Sequence, residues 1–267
     1  MDVSTIKKLT IIIPCYNEQE GIKTVLDEIP HKKLNNLGFS VETIVIDNNS
    51  TDNTSKIALY NGAKVIHEKK QGKGHAMITG FNSIPKDSDI VVMIDGDASY
   101  DIKEVTRLIE PIESGFADGI IGTRLHGRLD ISSMSSFNRI GNWFFTFLAR
   151  TGYRTNVTDV CSGFFAWKGE VIQNLAKHIK SSGFSLEMEM IVKMARMGYD
   201  CYSVPITYNL RNGSSSLKPL RDGIKIGFTW LKYLTWNQDY ASQKKESTEK
   251  QTQKEVSAEK VSSSQDI

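Results

Sequence analysis

Apolar and polar residues alternate in two different rhythms along the first half of this chain. Short apolar runs stand at Leu9–Pro14, Val41–Asp47, Lys64–His67, Ile90–Asp95 and Gly119–Gly122. Between them, near Gln19–Ile29, Thr51–Asn61, Gly74–Ser83 and Asp101–Ile112, apolar positions recur at helical spacing. Strands in regular alternation with helices predict βαβ units. The expected fold is therefore α/β, with a mostly parallel central sheet, helices on both faces and right-handed crossovers.

Beyond residue 124 the rhythm changes. Residues 125–137 are polar and read as a mobile loop. A helix is expected around Leu186–Met197 and a strand around Cys201–Pro205. Asn138–Thr151 (NRIGNWFFTFLART) and Ile224–Trp236 (IKIGFTWLKYLTW) are aromatic-rich and helical in pattern. In the second stretch Ile224, Gly227, Phe228, Leu231, Leu234 and Thr235 share a face, with Trp230, Lys232 and Tyr233 away from it. From Gln238 to Ile267 the composition turns to Lys, Glu, Gln and Ser, which cannot offset the entropy of ordering. One folded domain over 1–237 and a disordered polar tail over 238–267 are expected.

Composition narrows the class. With 39% hydrophobic and 24% charged residues the 267-residue chain is globular in type, and a net charge of +2 gives no reason to expect nucleic acid. Cys15, Cys161 and Cys201 are odd in number and lack CxxC spacing, which favours reduced thiols over disulfides or zinc. The start, MDVSTIKKLT, has no signal-peptide core, and no apolar run reaches the roughly 18 residues of a membrane span. A cytoplasmic protein is expected, with contact to a membrane face left open.

The chemistry gathers at strand ends, where open α/β sheets bind ligands. Asp95-Gly96-Asp97 pairs two carboxylates around a glycine, a donor set for a hard cation that also takes phosphate oxygens, or simply a polar turn. Gly72-Lys73-Gly74 before a helix suits a phosphate, or is a basic surface loop. Asp47, after Ile44-Val45-Ile46, either caps the next helix or accepts a nucleobase N–H. The five histidines are scattered and read as structural or solvated.

In this order, Pro14-Cys15-Tyr16-Asn17-Glu18, Asp47-Asn48-Asn49-Ser50-Thr51-Asp52, Gly72-Lys73-Gly74 and Asp95-Gly96-Asp97 resemble the family 2 glycosyltransferases of GT-A fold, the nucleotide-diphospho-sugar transferases. Gly122-Thr123-Arg124, Thr158-Asp159, Ser162-Gly163-Phe164, Met188-Glu189-Met190, Val204-Pro205-Ile206 and Arg211 extend the similarity to the dolichyl (polyprenyl) phosphate sugar transferases. The resemblance covers roughly residues 9–236. It implies that Pro14, Tyr16, Glu18 and Asp47 hold the nucleoside, Lys73 lies near the diphosphate, and Asp95 and Asp97 bind Mg²⁺ or Mn²⁺, with Asp95 also near the nucleotide. It further implies that Asp97 is catalytic, that Arg124 and Arg139 grip the acceptor phosphate and so also act in catalysis, and that Arg211 belongs to a loop closing over the donor. Two positions depart from the family pattern: Ser99 replaces a Gln that supplies a third metal ligand, and Ser216 replaces a Lys, with Lys218 just downstream.

The implied reaction is metal-dependent and inverting. It moves a sugar from a UDP-sugar (UDP-N-acetylglucosamine or UDP-glucose, with GDP-mannose the alternative) to polyprenyl phosphate, for glycan or glycoprotein assembly. A lipid phosphate, with a second pKa of about 6, attacks without a base. With a soluble or protein-linked acceptor, Glu187 would be that base; otherwise it is an exposed helical glutamate. The aromatic stretches near 139–151 and 224–236 then suit helices lying in a bilayer surface, which would make the protein peripheral on the cytoplasmic face. Packing against the sheet or a second subunit is the competing reading.

Overall fold

The computed structural model describes residues 6–129, 134–181, 183, 185–210 and 219–237. Among them the strands are β1 (Lys7–Cys15), β2 (Phe39–Asp47), β3 (Lys64–His67), β4 (Ile90–Ile94), β5 (Gly119–Leu129), β6 (Phe164–Lys168) and β7 (Cys201–Tyr208). They form one sheet in the order β3-β2-β1-β4-β6-β5-β7. The β1–β2, β2–β3, β1–β4 and β5–β7 ladders are parallel, and β6 runs antiparallel between β4 and β5. The mostly parallel sheet expected from the pattern is present, with one reversed strand inserted.

The helices are α1 (Gln19–Asp27), α2 (His31–Asn36), α3 (Thr54–Tyr60), α4 (Lys73–Asn82), α5 (Val105–Glu113), α6 (Ser136–Tyr153), α7 (Gly169–Ala176), α8 (Leu186–Arg196) and α9 (Pro219–Lys232). They cover both faces, and the strands show it residue by residue. Ile12, Ile44, Ile46, Val91 and Met93 join one core, while Ile11, Ile13, Val45, Val92 and Ile94 join the other. This is the two-residue period of a strand buried on both sides. Both cores are apolar, so β1 and β4 read as unbroken hydrophobic runs.

Two expectations change. β5 continues to Leu129 beside β7, with an irregularity between Thr123 and Arg128, so the first part of the supposed loop at 125–137 is strand. Its backbone is drawn on by the β7 edge, which pairing a polar sequence cannot advertise. The loop of Arg211, Ser216 and Lys218 and the tail over 238–267 lie outside the described residues.

The second change concerns the aromatic helices, each of which divides its aromatic residues between two sides. Tyr233 is buried, and Trp230 and Trp236 pack on the core. Trp230 Nε1 donates to Leu148 O at 2.8 Å, and Tyr153 Oη donates to Trp230 O at 2.5 Å. Trp230 is thereby fastened to α6 while Tyr233 donates to Glu189 of α8, so these side chains are no part of an outward face. The exposed large apolar residues are Leu220, Ile224, Phe228 and Leu231 on α9 and Phe137, Ile140, Trp143, Phe144 and Phe147 on α6, two helices that pack against each other. No described helix is long and apolar enough to cross a membrane.

Candidate active site at the carboxyl edge of the sheet

The register of three neighbouring strands lines up Cys15, Asp47 and His67 at the carboxyl edge. The turn after β1 is tied to the loop after β2. Asn17, in a left-handed conformation (φ 54°), accepts from Thr51 N at 2.8 Å, and its own N donates to Ser50 Oγ at 3.0 Å. Glu18 N donates to Thr54 Oγ1 at 2.9 Å. Pro14 is buried in β1, whereas Tyr16 is exposed at the rim.

Asp47 is buried and engaged. Its Oδ1 accepts from Ser50 N at 3.1 Å, and its Oδ2 lies 3.0 Å from His67 Nδ1. Burial pushes this carboxyl up, but hydrogen bonds from Ser50, Ser55 and His67 outweigh it and hold the group below the usual range. Asn48 shapes the next loop by donating to Glu68 O and Lys70 O and accepting from Gly72 N. Gly72, at φ 132° where a side chain would be strained, then turns the chain into α4 and delivers Lys73 on its first turn.

Lys73 is the hub of the acid site. Its Nζ lies 3.0 Å from Asp95 Oδ1 and 2.8 Å from Glu187 Oε1. Burial lowers the lysine's proton affinity, but Asp95 and Glu187 reverse this and hold its pKa well above the ordinary value. Glu187 comes from the first turn of α8 and is buried, not the exposed helical glutamate of the bland reading. Its Oε2 has no hydrogen-bond partner among the described residues. Asp97 is also buried, and its Oδ1 accepts from Ser99 N at 2.9 Å and Ser99 Oγ at 2.5 Å. Ser99 thus braces the second aspartate. Gly163 lies so close to Asp95 that a Cβ there would overlap the carboxylate.

The donor set suits a Mg²⁺ or Mn²⁺ ion shared with a diphosphate. Two carboxylates are what such an ion takes from protein when phosphate oxygens complete its shell. Lys73 already stands against Asp95 as its countercharge, so an ion there would share the carboxylate with the lysine or displace it. Among the described residues no cluster of three or more His, Cys, Asp or Glu could hold a metal alone. Any ion here depends on its substrate for the remaining ligands.

Arg124 and Arg139, expected side by side at an acceptor phosphate, differ in setting. Arg124 is buried and clamped to Asp159: Nε donates to Oδ2 at 2.8 Å and Nη2 to Oδ1 at 2.9 Å, with Nη2 also donating to Cys161 O at 2.7 Å. Its backbone N adds a bond to Asp159 Oδ2 at 2.9 Å, and its guanidinium lies over the Tyr208 ring. Arg139 is exposed on the first turn of α6. One turn later Asn142 Nδ2 donates to Asp159 Oδ1 at 2.7 Å, which ties the start of α6 to the Arg124–Asp159 pair. Arg211 lies outside the described residues.

Three residues of this network have no role assigned by the sequence. Asn142 is hidden in an aromatic run, its signal being a lone amide three residues after Arg139. Asp159 was one motif letter without a partner. His67 was counted among scattered histidines, although its place at the end of β3 puts it opposite Asp47.

Comparison with known proteins adds the lineage. The sequence model of glycosyl transferase family 2 matches residues 10–175. The low-salt glycan biosynthesis hexosyltransferase Agl6 of Haloferax volcanii is 30% identical over 216 residues, 80% of this chain and 51% of Agl6. This chain thus spans about half the length of that relative. A dolichyl-phosphate hexose transferase of the same organism is 29% identical over 228 residues, 85% of this chain and 94% of the relative. Glucosyl-3-phosphoglycerate synthase from Mycobacterium tuberculosis, solved with Mn²⁺, UDP and glucosyl-3-phosphoglycerate, shares the fold. Its TM-score is 0.64 at 22% identity, covering 86% of this chain and 80% of that one.

Proposed function

This chain belongs to glycosyl transferase family 2, and from that premise we propose that it transfers a sugar from a nucleotide-diphospho-sugar to polyprenyl phosphate at a membrane surface. UDP-N-acetylglucosamine or UDP-glucose is the favoured donor, ahead of GDP-mannose. The similarity to a dolichyl-phosphate hexose transferase and the shared fold with a UDP- and Mn²⁺-binding synthase support this reading.

The observation that carries it is the double allegiance of α6. On one side Asn142 enters the Arg124–Asp159 pair, beside exposed Arg139. On the other, Trp143, Phe144 and Phe147 stand out with Ile224, Phe228 and Leu231 of α9. A polar site backed by an exposed apolar face suits an acceptor whose phosphate is anchored by a hydrocarbon tail. The membrane face is then cytoplasmic and the attachment peripheral.

Lys73 offers its charge to the diphosphate, and the acids it now pairs are left to new partners. Asp95 and Asp97 would hold Mg²⁺ or Mn²⁺, which supplies Lewis-acid stabilisation of the departing diphosphate. Asp159 fixes Arg124, and α6 presents Arg139, so that the acceptor phosphate meets a preset positive edge. That phosphate is largely ionised near neutral pH and needs no base, so a single in-line displacement inverts the anomeric carbon.

A second reading has one observation in its favour: Glu187 is drawn into the site by Lys73. It could there serve as base for a soluble or protein-linked hydroxyl. Incubation with UDP- and GDP-sugars, Mn²⁺ and vesicles holding dolichyl phosphate separates the two. The proposal expects a lipid-linked product, while transfer only to soluble sugars would overturn it and favour Glu187 as base.

A further inference from the structure

His67 closes β3 at the carboxyl edge, directly opposite Asp47 in the parallel register. Its side chain is 64% exposed, while that of Asp47 is 5% exposed beneath it. The two meet through Nδ1 and Oδ2 at 3.0 Å. Asp47 Oδ1 meanwhile accepts from Ser50 N, so each carboxylate oxygen has a donor and the group braces the loop below the rim. A carboxylate beside Nδ1 calls for a proton on that nitrogen. In a neutral imidazole the other nitrogen, Nε2, is then a bare acceptor.

Tyr16 is exposed at the end of β1, two strands away across the same edge. The loop that begins just after His67 is shaped by Asn48 and ends at Gly72 and Lys73, where the diphosphate would lie. A nucleoside whose phosphates reach Lys73 would set its base over β1–β3.

We propose that His67 reads the nucleobase, its Nε2 accepting a ring N–H such as N3–H of uracil or N1–H of guanine, while Asp47 fixes the tautomer. Selection against cytosine and adenine follows, because each presents a bare ring nitrogen there and two acceptors repel. This rests on the nucleotide-diphospho-sugar reading of the site and adds to it the residue that discriminates among bases.

The test is calorimetric titration with UDP, GDP and CDP in the presence of Mn²⁺, together with N3-methyl-UDP and N1-methyl-GDP. For the wild type, the preferred diphosphate should bind about fivefold or more tighter than CDP and than its own ring-methylated form, the range expected of one hydrogen bond. His67→Ala should bring them within about twofold by weakening the preferred ligand alone. His67→Asn, whose amide oxygen also accepts, should keep part of the gap. A full methylation penalty in His67→Ala would overturn the proposal and assign the N–H to Asp47 itself. A wild type indifferent to base or methylation would also overturn it. If no nucleoside diphosphate bound at all, the donor-site reading would fall, and this inference with it.

Discussion

Glu187 and Glu189 stand two residues apart on α8, both buried, and each is paired with a lysine. Two residues along a helix turn about 200°, so the pair looks in opposite directions. Glu189 looks inward to α9. It accepts from Lys193 Nζ, from Tyr233 Oη at 2.7 Å, and from the backbone N of Lys180 and Ser181. Burial pushes its carboxyl up, but Lys193 and these hydrogen bonds outweigh that and hold it below the usual range. Glu187 looks toward the sheet edge, shares Lys73 with Asp95, and has one oxygen without a hydrogen-bond partner among the described residues. A saturated buried acid holds structure together. An acid left one partner short, beside a lysine it must share, is arranged for a ligand.

The comparison breaks if the two acids respond alike to loss of charge. Glu189→Gln should destabilise the protein by about 3–5 kcal/mol, because Lys193 is left buried without its countercharge. Turnover per folded molecule should stay near normal. Glu187→Gln should unfold at nearly the wild-type urea midpoint, since Lys73 keeps Asp95, yet slow transfer about tenfold by loosening the placement of Lys73. A loss of about 100-fold or more would instead mark Glu187 as the base of the second reading. Urea denaturation and initial rates on both variants decide it.

The arginines repeat the contrast. Arg124→Ala should cost about 3–5 kcal/mol of stability by stranding buried Asp159. Arg139→Ala should leave stability unchanged and weaken only the use of acceptor phosphate, by about 1.5–3 kcal/mol. An unfolding midpoint lowered equally by both would remove the distinction between an arginine that also braces the fold and one that only grips the phosphate.

A smaller effect sharpens the role of Asp95. Gly163→Ala would push its carboxylate off Lys73, since the three atoms nearest the added Cβ all belong to that carboxylate. Transfer should fall about tenfold, within the penalty known for slight misplacement of a reacting group, and more Mn²⁺ should be needed. An unchanged metal requirement would show that Asp95 tolerates displacement.

What the sequence made legible follows from which contacts are local. The apolar runs at Ile11–Ile13, Ile44–Ile46 and Ile90–Ile94 announced central strands because both of their faces are covered. The strand-end acids and Lys73 are visible as a set because the parallel half carries its strand-to-helix loops to one edge. β6 was missed, since its reversed pairing with β4 and β5 is decided by partners far along the chain. The burial of Glu187 depends on Lys73 arriving from another helix, and helical periodicity is silent about that. On α9 the pattern separated Ile224, Phe228 and Leu231 from Trp230 and Tyr233 correctly. It gave no sign of which side meets the protein, because aromatic residues serve both core and interface.

The central claim is that Asp95, Asp97 and Lys73 form a site for a metal-bound diphosphate. Titration of UDP into the wild type and Asp97→Ala, each with Mn²⁺ and with a chelator, tests it most directly. The account predicts tight binding by the wild type with Mn²⁺, weak binding with chelator, and no response to Mn²⁺ in Asp97→Ala. Equal affinity in all four titrations would contradict it.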